Sequence, residues 1–352
     1  MELSNIIFSL LLLFFSYFLN KYILLFFYRS KSNLLADNDY QKPQAFHEIS
    51  TYRLGGVAIF FSLSMAFLYL YFLKNVYFPE YTSFCTFFFI LGLLDDFKIK
   101  IAPKFRLLAM ISMLVFLVIS NEFYIEKTGL TFLNHLLTID IFSLIFVILC
   151  FLFIINGSNL IDGFNGLLGI HALIIFVALF IINLINDNNG LAYILFFIIL
   201  SVLVFLKFNF PKAKMFLGDS GAYLFGTLIA ISIIKTSILN PEISPFFFCI
   251  LLIYLFFEVF FSFFRKIFIA KQSPLLPDSK HMHMIFFKFL FKKNRSKSNS
   301  NYQVSIYINI MFLLLVTPAF IFMHNGLFCR YYFFILLLVY IYFYEVLRKR
   351  IQ

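Results

Sequence analysis

Charge is what this chain has least of. Only 13% of its 352 residues are Asp, Glu, Lys or Arg, roughly half of what a soluble domain carries. Tryptophan is absent, and the four cysteines (Cys85, Cys150, Cys249, Cys329) are scattered through apolar runs. That scatter excludes a disulfide framework and a cysteine metal site, so these thiols read as small hydrophobes. No internal repeat is evident, and no polar stretch is long enough to fold alone as a soluble domain. What the chain does have is apolar: 62% hydrophobic residues, including 56 Phe and 20 Tyr. A soluble protein of this composition would need a core larger than its surface could cover.

Repeated runs of membrane-spanning length set the class, an all-α polytopic integral membrane protein. Eleven spans are expected, near 3–27, 55–73, 82–95, 104–120, 141–156, 166–185, 190–206, 219–238, 245–264, 304–323 and 328–347. The first is longer than a signal-peptide core and shows no small-residue cleavage pattern, so it reads as a retained span. The whole of 1–352 reads as one transmembrane domain, with 265–303 a large basic loop.

Basic residues alternate between the connections. One set holds Arg29, Lys31, Lys42 and Arg53, then Lys98, Lys100, Lys104 and Arg106, then Lys207, Lys212 and Lys214. The run from Arg265 to Lys297 and the tail Arg348, Lys349 and Arg350 fall on the same side. The opposite side has only Lys74, Lys127, Lys235 and Arg330. The positive-inside rule makes the first set cytoplasmic, with the N-terminus outside and the C-terminus inside. An odd number of spans requires the same arrangement.

Four polar stretches fall on that cytoplasmic face: "LLDDF", "NGSNLIDGFNGL", "FLGDSGAY" and "PDSKHMHM". Ionisable groups at a membrane edge are functional candidates, and four on one face suggest one site. Asp95 and Asp96 end a helix, where the macrodipole is already negative. They read either as a solvated helix end near Lys98 and Lys100 or as a carboxylate pair that holds a cation or supplies a base. Successive helical residues point about 100° apart, so the two need not share a role. Asp219 and Ser220 open a helix, as an ordinary N-cap does. The same "GDSG" would also suit a phosphate, or an Mg²⁺ ion that bridges phosphate oxygens.

Asn156, Asn159 and Asp162 recur every third residue and share a face if the fifth helix continues through them. The Asn and Gly of "DGFNG" suit a turn. Amide and carboxylate oxygens are hard ligands, suited to Mg²⁺ rather than zinc. His281 and His283 form an HxH pair that, with Arg265, reads as a cationic phosphate pocket rather than a zinc site. The following "IFFKFLFKKNRSKSN" alternates aromatics and lysines and suits an anionic lipid surface. Hard oxygens, helix N-termini and basic groups on a lipid-embedded body suit phosphoryl-type chemistry on a lipid phosphate.

In this order and spacing, "LGLLDDF", "NGSNLIDGFNGL", "FLGDSGAYLFG" and "SPLLPDSKHMHM" resemble the polyprenyl-phosphate N-acetylhexosamine-1-phosphate transferases. The resemblance runs from about Lys42 to His283. It lies closer to the branch that initiates O-antigen, teichoic-acid or capsule synthesis than to the phospho-muramoyl-pentapeptide branch. It implies a helical fold of ten or eleven spans in the plasma membrane, with the active site facing the cytoplasm. The implied phosphotransferase reaction joins a UDP-N-acetylhexosamine to polyprenyl phosphate, giving polyprenyl-diphosphate-sugar and UMP, with Mg²⁺ or, alternatively, Mn²⁺.

Carried over by motif, Asp219 and Asn159 would be metal ligands. Asp95 would activate the lipid phosphate, with Asp96 supporting it, and Lys104 would contact phosphate. Asp162 would organise the site, Asn165 would contact the nucleotide, and Arg265, His281 and His283 would grip the diphosphate or sugar. Lys42, His47 and Asn156 match more weakly. The expected partners are the UDP-sugar, the lipid and the membrane, with no nucleic acid; a homodimer is compatible with the resemblance, though no residue argues for it.

The sequence departs from the family at three points. No further acid follows "DDFKI", Asn165 stands where many relatives have Asp, and Met284 stands where a third histidine is common. The alternatives are an intramembrane prenyltransferase, which would need more regularly spaced aspartates, and a lipid-linked-sugar transporter. The transporter would place ionisable groups in mid-span, for which Glu258 and Arg265 are the best support.

Overall fold

The computed structural model describes residues 3–30, 34–37, 51–99, 101–269, 271, 273 and 279–351. Lys42 and His47 lie outside these residues. The described part is almost wholly helical. In chain order it comprises α1 (Leu3–Ser30), β1 (Ala36–Asp37), β2 (Thr51–Arg53), α2 (Gly55–Lys74), α3 (Pro79–Asp96), α4 (Pro103–Ser120), α5 (Thr131–Leu137), α6 (Asp140–Ile161) and α7 (Leu167–Ile185). There follow α8 (Asn189–Asn209), β3 (Met215–Phe216), α9 (Gly218–Leu239), α10 (Pro245–Leu251), α11 (Ile253–Phe264), α12 (Met282–Asn294), α13 (Lys297–Ile321) and α14 (Gly326–Ile351).

Each of the eleven expected spans falls on a helix, with α10 and α11 sharing the ninth. Nine helices among the described residues are long and apolar enough to cross a membrane, and α10–α11 would make a tenth as a pair bent by 73°. The third expected span coincides with α3, whose acids Glu80, Asp95 and Asp96 interrupt its apolar character.

α9 is the axis of the bundle. From Ser220 to Ile234 it is buried on every face, as an all-round apolar helix must be. Small residues let its neighbours approach. A Cβ on Gly92 of α3 would stand 2.5 Å from the Asp219 carbonyl, and one on Gly226 would stand 2.6 Å from Ile155 Cα of α6. A Cβ on Gly56 of α2 would overlap the Gly221 amide. Such contacts allow the backbone-close packing that membrane helices use in place of a hydrophobic drive. By contrast α1 and α14 turn most of their apolar surface outward, where lipid replaces protein.

The three short strands form one sheet in the order β1–β2–β3. β2 runs antiparallel to β1 and parallel to β3, with Arg53 opposite Phe216. This sheet brings Arg53 beside the N-terminus of α9. The segment 265–303, expected as a loop, is largely helical in its described part: a π-helical turn at Arg265–Ile269, then α12, then the start of α13. The amphipathic pattern explains α12. Met282, Met284, Ile285, Phe287 and Leu290 are buried, while Lys288, Lys292 and Lys293 are exposed.

Candidate active site

The C-termini of α3 and α6, the N-terminus of α9 and the β2 strand meet at one end of the bundle. α6 continues helical through Asn156 and Asn159 to Ile161, and Asp162 is its C-cap. The first half of the polar stretch is therefore helix and the second half is turn. At the turn, Gly166 adopts φ 76° and its N–H donates to Asn209 Oδ1 at 2.7 Å. Asn165 is held at both ends: its backbone N–H donates to Asn301 Oδ1 (2.9 Å) and its amide donates to the Pro211 carbonyl (3.0 Å).

Asp95 and Asp96 face different partners, as a 100° offset demands. Asp96 is 1% exposed. Its Oδ1 accepts from the Asp219 N–H (2.9 Å), and its Oδ2 accepts from the Ser220 N–H (2.9 Å) and Ser220 Oγ (2.6 Å). It thus caps α9 from another helix, satisfying orphan donors at a positive helix end. Gly218, at φ 80°, is needed there, because a Cβ would come 2.7 Å from Asp96 Oδ2. Asp95 instead accepts from Arg106 Nη1 at 2.7 Å, and Tyr223 Oη lies 3.5 Å from the same oxygen.

Arg53 joins the acids. Its Nη2 donates to Asp37 Oδ2 at 2.8 Å, while Nη1 stands 3.5 Å from Asp219 Oδ2 and 3.6 Å from Asp96 Oδ1. Burial works against the Arg53 charge, but the fields of Asp219, Asp37 and Asp96 raise its pKa. Withdrawal from solvent, together with Asp219 and Asp96 nearby, pushes the Asp162 carboxyl well above the usual carboxylate range.

The donor set at this end suits Mg²⁺. Among the described residues no three His, Cys, Asp or Glu side chains are gathered closely enough for a closed metal cage. Mg²⁺ takes one or two carboxylates and completes its shell with phosphate and water. Asp95, Asp96, Asp162 and Asp219 gather with the guanidiniums of Arg53 and Arg106, and the repulsion among these acids, which adds to burial in raising the Asp162 pKa, is what a divalent cation would relieve. Asp96 is spent on the α9 cap, whereas the Asp219 side chain is 27% exposed.

A second group of polar residues surrounds the HxH motif. His281 is 2% exposed and His283 is fully buried. His281 Nδ1 lies 2.9 Å from Glu258 Oε2, and His283 Nδ1 lies 3.2 Å from Tyr254 Oη. Arg265 Nη1 donates to the Lys280 carbonyl (3.1 Å) and to Tyr344 Oη (2.9 Å). The motif turn and the histidines touch through Phe164, whose ring is edge-on to His283 at 5.6 Å.

Asp95, Asp96, Asp162 and Asp219, which stand out in the sequence, come together in the structure. Lys104 is exposed at the start of α4, and it is Arg106, two residues on, that meets Asp95. Asn156 donates back to the Leu152 carbonyl of its own helix. Ser220 belongs to the helix start already marked with Asp219, whereas Arg53, Arg106 and Tyr223 were not singled out. Their partners lie from 11 to 166 positions away, and no local pattern marks them. The one available signal was the place of Tyr223 within "GDSGAY".

Long apolar helices packed about a buried axis define a multi-pass all-α membrane protein, with a cluster of acids and guanidiniums at one end of the bundle. Residues 78–237 match glycosyl transferase family 4. The chain is 31% identical over 239 residues to the phospho-N-acetylmuramoyl-pentapeptide-transferase of Dictyoglomus turgidum, covering 65% of this chain and 74% of that protein. It is 29% identical over 199 residues to the undecaprenyl-phosphate alpha-N-acetylglucosaminyl 1-phosphate transferase of Thermotoga maritima, covering 56% and 58%. To the probable undecaprenyl-phosphate N-acetylglucosaminyl 1-phosphate transferase of Bacillus subtilis it is 27% identical over 234 residues, covering 66% and 64%. The matches thus span between about three fifths and three quarters of these relatives' lengths. The chain belongs to glycosyl transferase family 4.

Proposed function

We propose that this protein transfers a sugar 1-phosphate, an N-acetylhexosamine 1-phosphate, from a UDP-sugar to polyprenyl phosphate. The products are polyprenyl-diphosphate-sugar and UMP, and the step initiates a cell-surface polysaccharide. The observation that carries this reading is the convergence of Asp95, Asp96, Asp162 and Asp219 with two guanidiniums at one end of an apolar bundle. A charged soluble donor and a lipid acceptor meet only at a membrane edge. The alternation of basic connections supports a cytoplasmic orientation for this end, in the plasma membrane.

In the transfer, an oxygen of the lipid phosphate attacks the phosphorus bonded to the sugar, and the bond to the UMP phosphate breaks. A divalent cation such as Mg²⁺ supplies charge neutralisation for the diphosphate, and Asp219 and Asn159 would hold it. Asp96 fixes the backbone of Asp219 by capping α9. Arg106 orients Asp95, the candidate for activating the lipid phosphate. Asp162 borders Asp219 and organises the site, and Asn165 holds the motif turn on its nucleotide side. Lys104 and Arg265 supply the cationic side of the diphosphate site, with the imidazoles of His281 and His283 beside it. The transporter alternative loses its best support, because Glu258 is tied to the HxH motif rather than lining a separate path.

Purified protein given undecaprenyl phosphate, Mg²⁺ and a panel including UDP-GlcNAc and UDP-GalNAc should release UMP with at least one sugar. Silence with every sugar would defeat the proposal. Asp219→Ala should abolish release while the helical protein stays folded by circular dichroism.

A further inference from the structure

Glu258 is a carboxylate within a membrane helix, 1% exposed, and such a group is costly unless its oxygens are fully used. They are. Oε2 accepts from His281 Nδ1 at 2.9 Å; Oε1 accepts from the Met282 N–H at 3.1 Å and from Tyr340 Oη at 2.9 Å. His283 Nδ1 stands 4.0 Å from Oε1 and 3.2 Å from Tyr254 Oη. One side chain of α11 therefore holds the first turn of α12 and a tyrosine of α14.

The consequence for the histidines is geometric. An ionised carboxylate only accepts hydrogen bonds, so His281 Nδ1 must carry the proton it shares with Glu258. The two imidazoles are parallel, 3° apart in plane and 5.5 Å between centroids. Both turn Nδ1 toward protein partners, which leaves Nε2 as the nitrogen of each ring that Glu258 and Tyr254 do not engage. His283 Nε2 is buried and has no hydrogen-bond partner among the described residues. It sits on a ring packed against Phe164 of the motif turn. An unpartnered buried nitrogen is unfavourable by itself and fits a site completed by substrate.

We propose that Glu258 is a positioning residue: it fixes the tautomer and orientation of His281, and with it the HxH turn, so that both Nε2 atoms face the diphosphate of the UDP-sugar. The proposal rests on the phosphoglycosyl-transfer reading above. A purely architectural role would need only a group that fills space and bonds Tyr340. The bond to His281 Nδ1 is the added feature, and its effect is exerted through that ring.

The test is a double-substitution cycle on the full-length protein, using a UDP-sugar that the wild type turns over. Glu258→Gln should lower kcat/KM for the UDP-sugar by about 10- to 100-fold, the range for loss of an outer partner that orients a working histidine. KM for polyprenyl phosphate should stay within twofold of wild type. His281→Ala should lower kcat/KM comparably, and the double variant should be no worse than His281→Ala alone. Losses that multiply in the double variant, or a Glu258→Gln enzyme within twofold of wild type, would overturn the proposal.

A measurement on the wild type needs no variant to fold. With ¹⁵N-labelled histidine, UDP-sugar and Mg²⁺ without lipid should shift the His281 Nε2 resonance and leave Nδ1 in place. A shift confined to Nδ1, or none at saturating UDP-sugar, would refute it. A wild type inactive with every sugar would instead sink the underlying reading, so the two failures are distinguishable.

Discussion

Asp95 and Asp96 adjoin in the chain yet do different work. Asp96 gives both oxygens to the amides and hydroxyl that open α9. Asp96→Asn would turn an NH₂ group toward one of those donors, costing about 1–3 kcal/mol of stability. Displacing Asp219 by even an ångström would cost roughly a hundredfold in turnover. Asp95 pairs with Arg106, whose side chain is 30% exposed, and Asp95→Asn keeps an amide oxygen for that guanidinium, so it should cost less stability than Asp96→Asn while still depressing UMP release. Thermal unfolding in detergent, read beside turnover, separates the two variants.

His283 makes a residue-scale prediction with a definite sign. Burial, outweighing the attraction of Glu258, pushes its imidazole down to about 4. The unfolded chain takes up that proton near pH 6.5, and the folded protein does so only near 4. Between these values the unfolded state binds more protons, so stability falls by about 1.4 kcal/mol per unit as pH drops, and the group contributes nothing above about 6.5. The gap in midpoint temperature between pH 7.5 and 5.0 should therefore shrink in His283→Asn. An equal gap in both proteins would contradict the assigned burial. The sequence exposed His283 as half of an HxH pair, but its burial depends on α11 and Phe164, which no local pattern links to it.

Among the elements, the α3–α9 pair positions the site, and it is fastened at both ends. At one end lies the Asp96 cap; at the other, Lys235 Nζ is 2.7 Å from the buried Glu80 Oε1. Lys235→Met would leave Glu80 buried without its cation and should cost about 3–5 kcal/mol. The folded fraction should keep its KM for UDP-sugar, because the pair lies at the opposite ends of both helices from Asp95 and Asp219. Glu80→Gln combined with Lys235→Met should recover much of that loss.

Gly92→Ala should act the other way, on packing and site together. Its methyl would meet the Asp219 carbonyl, so both midpoint temperature and turnover should fall. Spans were readable at this scale because apolar length alone marks them. The cap and the ion pair were not, since each joins residues more than a hundred positions apart. The extension of α6 to Ile161 was readable only as a conditional three-residue spacing, because Asn and Gly suit a turn equally well. Packing of Gly157 against the Leu255 backbone accompanies the helical outcome.

For the whole molecule, sparse charge and its sorting to one side of the apolar runs made the membrane class and the site's single-ended placement legible. Which guanidinium meets which acid was not, since Arg53 and Arg106 read from sequence as ordinary basic connections. The central claim is that the phosphate attached to the sugar moves with it onto the lipid. A UDP-sugar that the protein consumes, carrying ³²P in the phosphate next to the sugar, tests this directly with undecaprenyl phosphate and Mg²⁺. The label should appear in the lipid fraction as unlabelled UMP is released. Label that stays in the aqueous phase as UDP, with sugar alone on the lipid, would contradict phosphoglycosyl transfer.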